Sequence, residues 1–229
     1  MERYPETATE RFDDANFHIK YCLSIIRKYV QGKILEVGAG CGSFTRNYYQ
    51  PQIKSLVLTE TDKKNISELK EKFKNDTNVK ISNLTIKDIK DKYDTILYLH
   101  VLEHIKDDNT ELKTAYKKLN HGGHLIVMAP AHQKLYGNLD KAVGHFRRYE
   151  KKFFKKNLLR MHLVSFKYLD SMGYILYYLN KIFFKEEVYP SKLKIFIWDK
   201  IFTPISYLLD KVLMYKFGKN ILYVVKKLG

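Results

Sequence analysis

Cysteine is scarce in this chain: Cys22 and Cys41 are the only two in 229 residues, and Cys41 lies inside a glycine-rich turn. Two thiols so placed build neither a disulfide framework nor a zinc site, so a reducing setting is expected. No stretch reaches the roughly eighteen uninterrupted apolar residues that a membrane span requires. The first residues carry Glu2, Glu6, Glu10, Asp13 and Asp14 where a signal peptide would have a basic flank and an apolar core, and the expectation is a cytoplasmic chain. Acid is in deficit: 25 Asp and Glu stand against 41 Lys and Arg, a formal charge of +16. The excess crowds into the second half, from Lys151, Lys152, Lys155, Lys156 and Arg160 to Lys226 and Lys227. Such a surface seeks anions: nucleic acid, anionic lipid headgroups or phosphorylated small molecules. With lysine predominating over arginine, it also suits plain solvation. No pair of histidines has a spacing that compels a metal site, and none is expected.

The length fits one α/β domain with a substantial core, so residues 1–229 are read as a single domain. Its most informative stretch is Lys33-Ile34-Leu35-Glu36-Val37, an apolar run that enters Gly38-Ala39-Gly40-Cys41-Gly42-Ser43. A turn of this composition bends sharply and lets backbone lie against a ligand with no Cβ in the way. Twenty residues after Gly40, Glu60 ends a second apolar run, where an acid can accept from a ribose diol; Asp62 is close by, and position favours Glu60. The dinucleotide fingerprint would need glycine at position 43, which is serine. The pattern from Glu36 to Gly42 is instead acid-x-G-x-G-x-G. A carboxylate before the glycines is a poor neighbour for a pyrophosphate and a good one for an ammonium or sulfonium group.

On these residues the chain resembles the class I S-adenosylmethionine-dependent methyltransferases, whose first motif reads like Ile34 to Gly42. Later segments agree: 56–60 is similar to the second strand with its ribose acid, 93–105 to the fourth strand and its loop, and 119–130 to a helix end, Gly-Gly turn and fifth strand. The resemblance implies S-adenosylmethionine as cofactor, with Glu36, Gly38, Ala39, Gly40, Gly42, Glu60 and His100 around it. Asn83 and Leu84 follow the third strand at the place where the family contacts adenine. Glu103 and His104 belong to a common family pattern that shapes the cofactor pocket. The implied fold is a Rossmann-like, seven-stranded, mainly parallel doubly wound sheet. Alternation along the chain predicts the same order: a helix over 15–31, helices from Thr45 to Tyr49 and Asn65 to Lys74, a strand at 79–81, a strand ending near Leu99, a helix over 108–119, and strands at 124–128, 163–168 and 220–227.

Between Ala131 and Tyr149 the chain carries two histidines, two arginines, two tyrosines and an acid with little hydrophobic periodicity, more polar equipment than a connector needs. This loop is the expected substrate site, with Tyr136, Arg147, Arg148 and Tyr149 as binding residues; the arginines could equally pair with Asp140 or helix ends and hold the loop shut. Its Gly-His-Phe-Arg-Arg-Tyr run resembles a subgroup of methyltransferases found with sugar and glycan pathways. Methyl transfer from a sulfonium needs mainly alignment and, for a hydroxyl acceptor, one base. His145 is the first candidate and His132 the second, with His100 and His104 also near strand ends.

About fifty residues separate the last two expected strands where the simple fold needs a hairpin. Residues 170–218 form a helical, aromatic and lysine-rich insertion, broken by Pro190 and Pro204, which suits a cap over the active site or a peripheral element at a membrane interface. Its aromatics include Tyr174, Tyr177, Phe183, Phe184, Tyr189, Phe196 and Trp198. The expected function is O-methylation of a small-molecule, sugar or lipid-linked glycan acceptor. The alternatives are an RNA methyltransferase that uses the basic surface, and a non-catalytic binding protein of the same fold. The Asn/Asp-Pro-Pro-aromatic motif of amino-methylating DNA enzymes is absent after the fourth strand, which tilts the reading away from nucleic acid.

Overall fold

The computed structural model describes residues 12, 15–50, 53–157, 161–183 and 190–228. The acids at 2, 6, 10, 13 and 14, Arg160, and Phe184 through Tyr189 lie outside them, as does the side chain of Phe183.

Seven strands form one sheet: β1 Lys33–Val37, β2 Ser55–Thr59, β3 Val79–Ser82, β4 Tyr93–Leu99, β5 Leu119–Pro130, β6 Met161–Leu169 and β7 Asn220–Lys227. Their order is β3-β2-β1-β4-β5-β7-β6. Only β7 runs against its neighbours β5 and β6; the other pairs are parallel. The chain turns outward in both directions from β1 and β4, so the crevice at their carboxyl ends is the topological switch point where such sheets take ligands.

The apolar runs are nearly continuous because both sheet faces are covered. Leu35, Ile96, Leu125 and Val127 point to a core shared with Leu112 and Ala115 of α4 (Asp108–Lys118) and Phe154 of α6 (Lys151–Asn157). Ile34, Leu56, Leu97 and Ile126 point to the other side. There they meet Ile19, Cys22, Leu23 and Ile26 of α1 (Asn16–Ile26) and Leu69 of α3 (Lys63–Lys72). Two short helices complete the first five crossovers, α2 Thr45–Tyr48 after the glycine turn and α5 Asn138–Ala142 in the loop after β5.

Most bounds shift by one to a few residues, and three differences from the sequence expectation have a clear physical reason. The fifth strand starts at Leu119, not His124, because Leu119 already pairs with Tyr93 and the irregularity sits in the register between Tyr93 and Thr95. Asp62 is the cap of α3, accepting from the Asn65 N–H at 3.0 Å, and starts that helix two residues early. Pro204 breaks nothing: residues 192–212 form one helical run, α8 Lys192–Ile197, a π turn Trp198–Phe202 and α9 Thr203–Val212, with Pro204 in the first turn of α9, where a missing N–H is harmless.

Between β6 and β7 lie α7 (Ser171–Phe183) and this long run, clasped to the domain by buried carboxylates. Among the described residues no local side chain caps α1; Asp199 of the π turn accepts from the N–H groups of Phe17 and His18 at 3.3 and 2.9 Å. Asp210 of α9 takes the Tyr21 hydroxyl at 2.5 Å and the N–H groups of Asp170 and Ser171 at 2.7 and 3.0 Å. Ser206 accepts from the Met172 N–H and donates to Asp170. The bonds from the N–H groups of Phe17, His18, Ser171 and Met172 satisfy otherwise orphaned donors in the first turns of α1 and α7, each worth on the order of 1 kcal/mol.

Candidate active site

The apolar strand β1 ends at Val37, and the chain then reverses through Gly38 (φ +66°) and Gly40 (φ +57°), left-handed angles that side-chain-bearing residues avoid. The two glycines serve different needs. A Cβ on Gly38 would stand 2.8 Å from Val101, so that position is small for packing against the β4 loop. No atom of the described residues lies within 4 Å of a Cβ built on Gly40, which opens onto a cleft of about 310 Å³. Gly42 turns the other way, toward Leu69.

Two acids frame the turn. Glu36 is buried, accepts from the Thr45 and Tyr48 hydroxyls at 2.6 and 2.7 Å, and lines the cleft. Burial pushes its carboxyl up to about 7. Glu60 stands behind the turn: one oxygen accepts from the Gly40 N–H at 2.8 Å, the other from Thr61 and Asp62 at 2.7 and 2.9 Å. It is therefore fixed against the back of the turn, outside the cleft lining. Asn83 and Leu84 follow β3 on the surface, away from the cleft lining, with Leu84 exposed.

The opposite wall comes from the loop after β4 and the 131–149 loop. These are stitched together by the Phe146 N–H, which donates to the Glu103 carbonyl, and the second is closed at its base by the pairing of Ala131 with Tyr149. His145 Nδ1–H donates to Asp140 Oδ1 at 2.7 Å, which leaves Nε2 facing Glu103 Oε1 at 4.0 Å. Asp140 is fully buried. It also holds the Arg148 guanidinium at 2.9 Å, the Gly137 N–H at 3.0 Å and the Tyr177 hydroxyl at 3.2 Å. Burial would raise its pKa, but the bond from His145 and the charge of Arg148 outweigh burial and hold it below the ordinary value. Glu103 is buried with neither carboxyl oxygen hydrogen-bonded among the described residues. Burial pushes it up, yet the three histidines around it, His100 at 3.5 Å first, bring it below the usual range. Burial lowers His104 to about 4, so that imidazole is neutral.

His100, Glu103, His104, Asp140, His145 and Arg148 thus share one cleft with the glycine turn. The other expected residues are elsewhere. His132 is half-buried, stacks on Tyr168 and bonds Gly218 O through Nε2 at 3.1 Å, outside the cleft lining. Tyr136 donates to the His145 carbonyl at 2.7 Å, so it supports the loop. Arg147 pairs with Asp108 and donates to the carbonyls of Ile105 and Lys106, while Tyr149 is buried with its hydroxyl on Leu102 O and Asp108. The structure brings none of these four to the cleft lining and uses them as ties that hold the loop, because polar loop residues so close to β5 find backbone and acid partners.

Sequence reading missed three contributors to the cleft. His18 of α1, Tyr177 of α7 and Trp198 of the π turn all line it. His18 is pushed down to about 4 by burial and packs on Trp198 at 4.8 Å between ring centroids. Only the aromatic density of 170–218 hinted at two of them. Glu103, His104 and His145 also gather ligand-type atoms within 4.8 Å, a grouping not visible in their spacing.

A family model described as "Methyltransferase domain" matches residues 15–166. Comparison with curated proteins finds no match. Among solved structures, the N-methyltransferase NodS from Bradyrhizobium japonicum WM9 in complex with S-adenosyl-L-homocysteine is similar at 15% identity and a TM-score of 0.63, over 97% of this chain and 93% of that one. An S-adenosylmethionine-dependent methyltransferase from Clostridium acetobutylicum ATCC 824 is similar at 16% identity and a TM-score of 0.56, over 98% and 94%. Coclaurine N-methyltransferase bound to N-methylheliamine and S-adenosyl-L-homocysteine is similar at 15% identity and a TM-score of 0.60, over 98% and 75%.

Proposed function

From the premise that this chain belongs to the methyltransferase-domain family and uses S-adenosylmethionine, we propose that it methylates a hydroxyl of a small, sugar-like acceptor, free or lipid-linked, held between the glycine turn and the 131–149 loop. When bound, the cofactor supplies a methyl group on a sulfonium centre with a neutral thioether as leaving group. The open face of Gly40 and the acids Glu36 and Glu60 fit its cationic amino-acid end and its ribose.

The observation that carries the acceptor reading is the Asp140–His145 pair on the wall facing that turn. Asp140 fixes the tautomer and orientation of the imidazole, so that Nε2 is aimed into the cleft, where it can take a hydroxyl proton. Arg148 keeps Asp140 ionised, which stabilises the imidazolium that results. Helices α7 to α9 act as a cap in this reading, since Tyr177 and Trp198 close the cleft from the side of the helical segment and exclude water. His145 has the role of base; His100, beside Glu103, shapes the pocket.

A second reading, an amine acceptor, is favoured by Glu103, whose buried carboxylate has no hydrogen-bond partner among the described residues and suits the N–H of an amine. An RNA acceptor gains less support. The lysine cluster of Lys87, Lys90, Lys92, Lys117 and Lys118 gathers beside the start of β4 and the end of α4, the edge of the sheet opposite the cleft. The test is incubation with S-adenosylmethionine carrying a labelled methyl group and parallel panels of sugars and lipid-linked sugars, amines, and RNA. Label entering the hydroxylated panel through an alkali-stable ether is the expected result; label in amines or RNA alone would overturn it.

Glu36 gives this reading a pH signature. Its folded pKa of about 7 lies above the ordinary 4.5, so between those values the folded chain keeps a proton that the unfolded chain has shed. The group's contribution to stability therefore falls as pH climbs through that window. A bound cation favours the carboxylate and reverses the sign. Affinity for S-adenosylmethionine is expected to rise from about pH 6 to about pH 8, with a proton released on binding below about 7. Calorimetry in two buffers of different ionisation heat measures that proton. Glu36→Gln is expected to abolish its release; an unchanged release in the variant would assign it to another group.

A further inference from the structure

The helical run over 192–212 is amphipathic in the inverted sense. Its buried stripe is Ile195, Asp199, Thr203, Ser206 and Asp210, four of them polar and three of these, Asp199, Ser206 and Asp210, committed to clasping α1 and α7. Its outward stripe is Leu193, Phe196, Ile201, Ile205, Leu208 and Val212, with Leu193, Leu208 and Val212 65%, 64% and 77% exposed. Helix α7 repeats the pattern beside it. Ile175, Tyr178, Leu179 and Ile182 are spaced three and four apart and all exposed, while Ser171, Gly173 and Tyr174 are buried. Scattered apolar residues on a surface need no explanation, but two adjacent helices that both turn their aliphatic stripes to water do.

Among the described residues the charge around these stripes has one sign. Over 171–183 and 190–218 the sequence holds two carboxylates, Asp199 and Asp210, and both are buried in the clasp. The same segments carry Lys181, Lys192, Lys194, Lys200, Lys211 and Lys216, all on or bordering the exposed side except Lys200, which pairs with Asp199. We propose that the outward face of α7, α8 and α9 docks on an anionic lipid bilayer, with the aliphatic stripes at the acyl boundary and the lysines among the headgroups. A second copy of this chain is the poorer occupant, because pairing the face with itself would set lysine against lysine. The docking is peripheral: among the described residues no helix is long and apolar enough to cross a membrane. Tyr177 and Trp198 reach inward from the same helices to the cleft, so docking sets the cleft mouth close to the bilayer.

The test reads partitioning, not methyl transfer, and so stands or falls apart from the acceptor. The full chain is sedimented with phosphatidylcholine vesicles, with and without phosphatidylglycerol, at low and high salt. Binding to the anionic vesicles is expected to exceed binding to the neutral ones by about tenfold or more at low salt, and to weaken with salt without vanishing. Leu208→Asp with Val212→Asp, at positions that hold no part of the fold together, is expected to lower the partition coefficient on the order of a hundredfold with unchanged thermal unfolding. Lys192→Glu with Lys216→Glu is expected to remove the preference for anionic lipid. A chain that stays in the supernatant with anionic vesicles at low salt overturns the proposal, as does equal binding by the double-aspartate variant. A wild-type dimer in sedimentation velocity that the double-aspartate variant dissolves, with no vesicle binding, would give the face to a second copy and equally overturn it.

Discussion

Gly40→Leu should cost the protein its cofactor and leave the fold standing. The built Cβ at this position meets no described atom within 4 Å, so the added side chain displaces no protein group and projects into the cleft of about 310 Å³. Its backbone sits at φ +57°, where a Cβ adds strain on the order of 1–2 kcal/mol, enough to lower the melting temperature by several degrees without unfolding a domain of this size. The ligand bears the larger loss. Four carbons in the space where backbone must approach the methionine end are expected to weaken S-adenosylmethionine by at least about a hundredfold, or roughly 2.7 kcal/mol. Calorimetry on the folded variant measures it. The same change at Gly38 would be uninformative, since its Cβ meets Val101 at 2.8 Å and the damage would fall on packing. Binding of the Gly40→Leu variant at wild-type affinity would show that the ligand lies elsewhere.

How far the sequence could be read follows from the range of the forces involved. Strand β7 was legible to the residue, Asn220 to Lys227, because its run from Ile221 to Val225 is apolar on both faces and has no other way to be buried. The glycine turn was legible because the conformations it needs are local. The start of β5 was not, because the pairing of Leu119 with Tyr93 is a long-range contact that overrides the turn signal of Gly122 and Gly123. The caps of α1 and α7 were not legible for the same reason: Asp199 and His18 are 181 residues apart in the chain, and no local pattern links them. In the site, Glu36, Gly38, Gly40 and His145 could be placed near one another by topology alone, since the carboxyl ends of β1, β4 and β5 adjoin. Sorting His145 from His132 required side-chain geometry. Both sit on the same polar loop, and only the hydrogen bond to Asp140 turns one of them into the cleft while the bond to Gly218 keeps the other out.

His145→Ala is expected to lower turnover by about 10²- to 10⁴-fold, the range found for removing a positioned general base, while S-adenosylmethionine binds within about twofold of wild type. The cofactor affinity separates chemistry from support: the backbone N–H and carbonyl of His145, which hold the loop through Asp140 and Tyr136, survive the substitution, and what is lost with the imidazole is its bond to the buried Asp140 and its contact with His104. Rates are read as labelled methyl transferred to the acceptor found in the panel, across pH. Asp140→Asn is a harder variant to interpret, since Asp140 also balances the buried Arg148 guanidinium and receives Gly137 and Tyr177, so part of its effect will be on folding. It becomes informative beside His145→Ala: a double variant no slower than His145→Ala would mean that the carboxylate acts through the imidazole. An amine acceptor gives a different pattern, because an amine that has lost its proton to water needs no base. His145→Ala would then keep most of its rate, and Glu103→Gln, which removes the buried carboxylate facing the three histidines, would carry the larger loss in acceptor affinity.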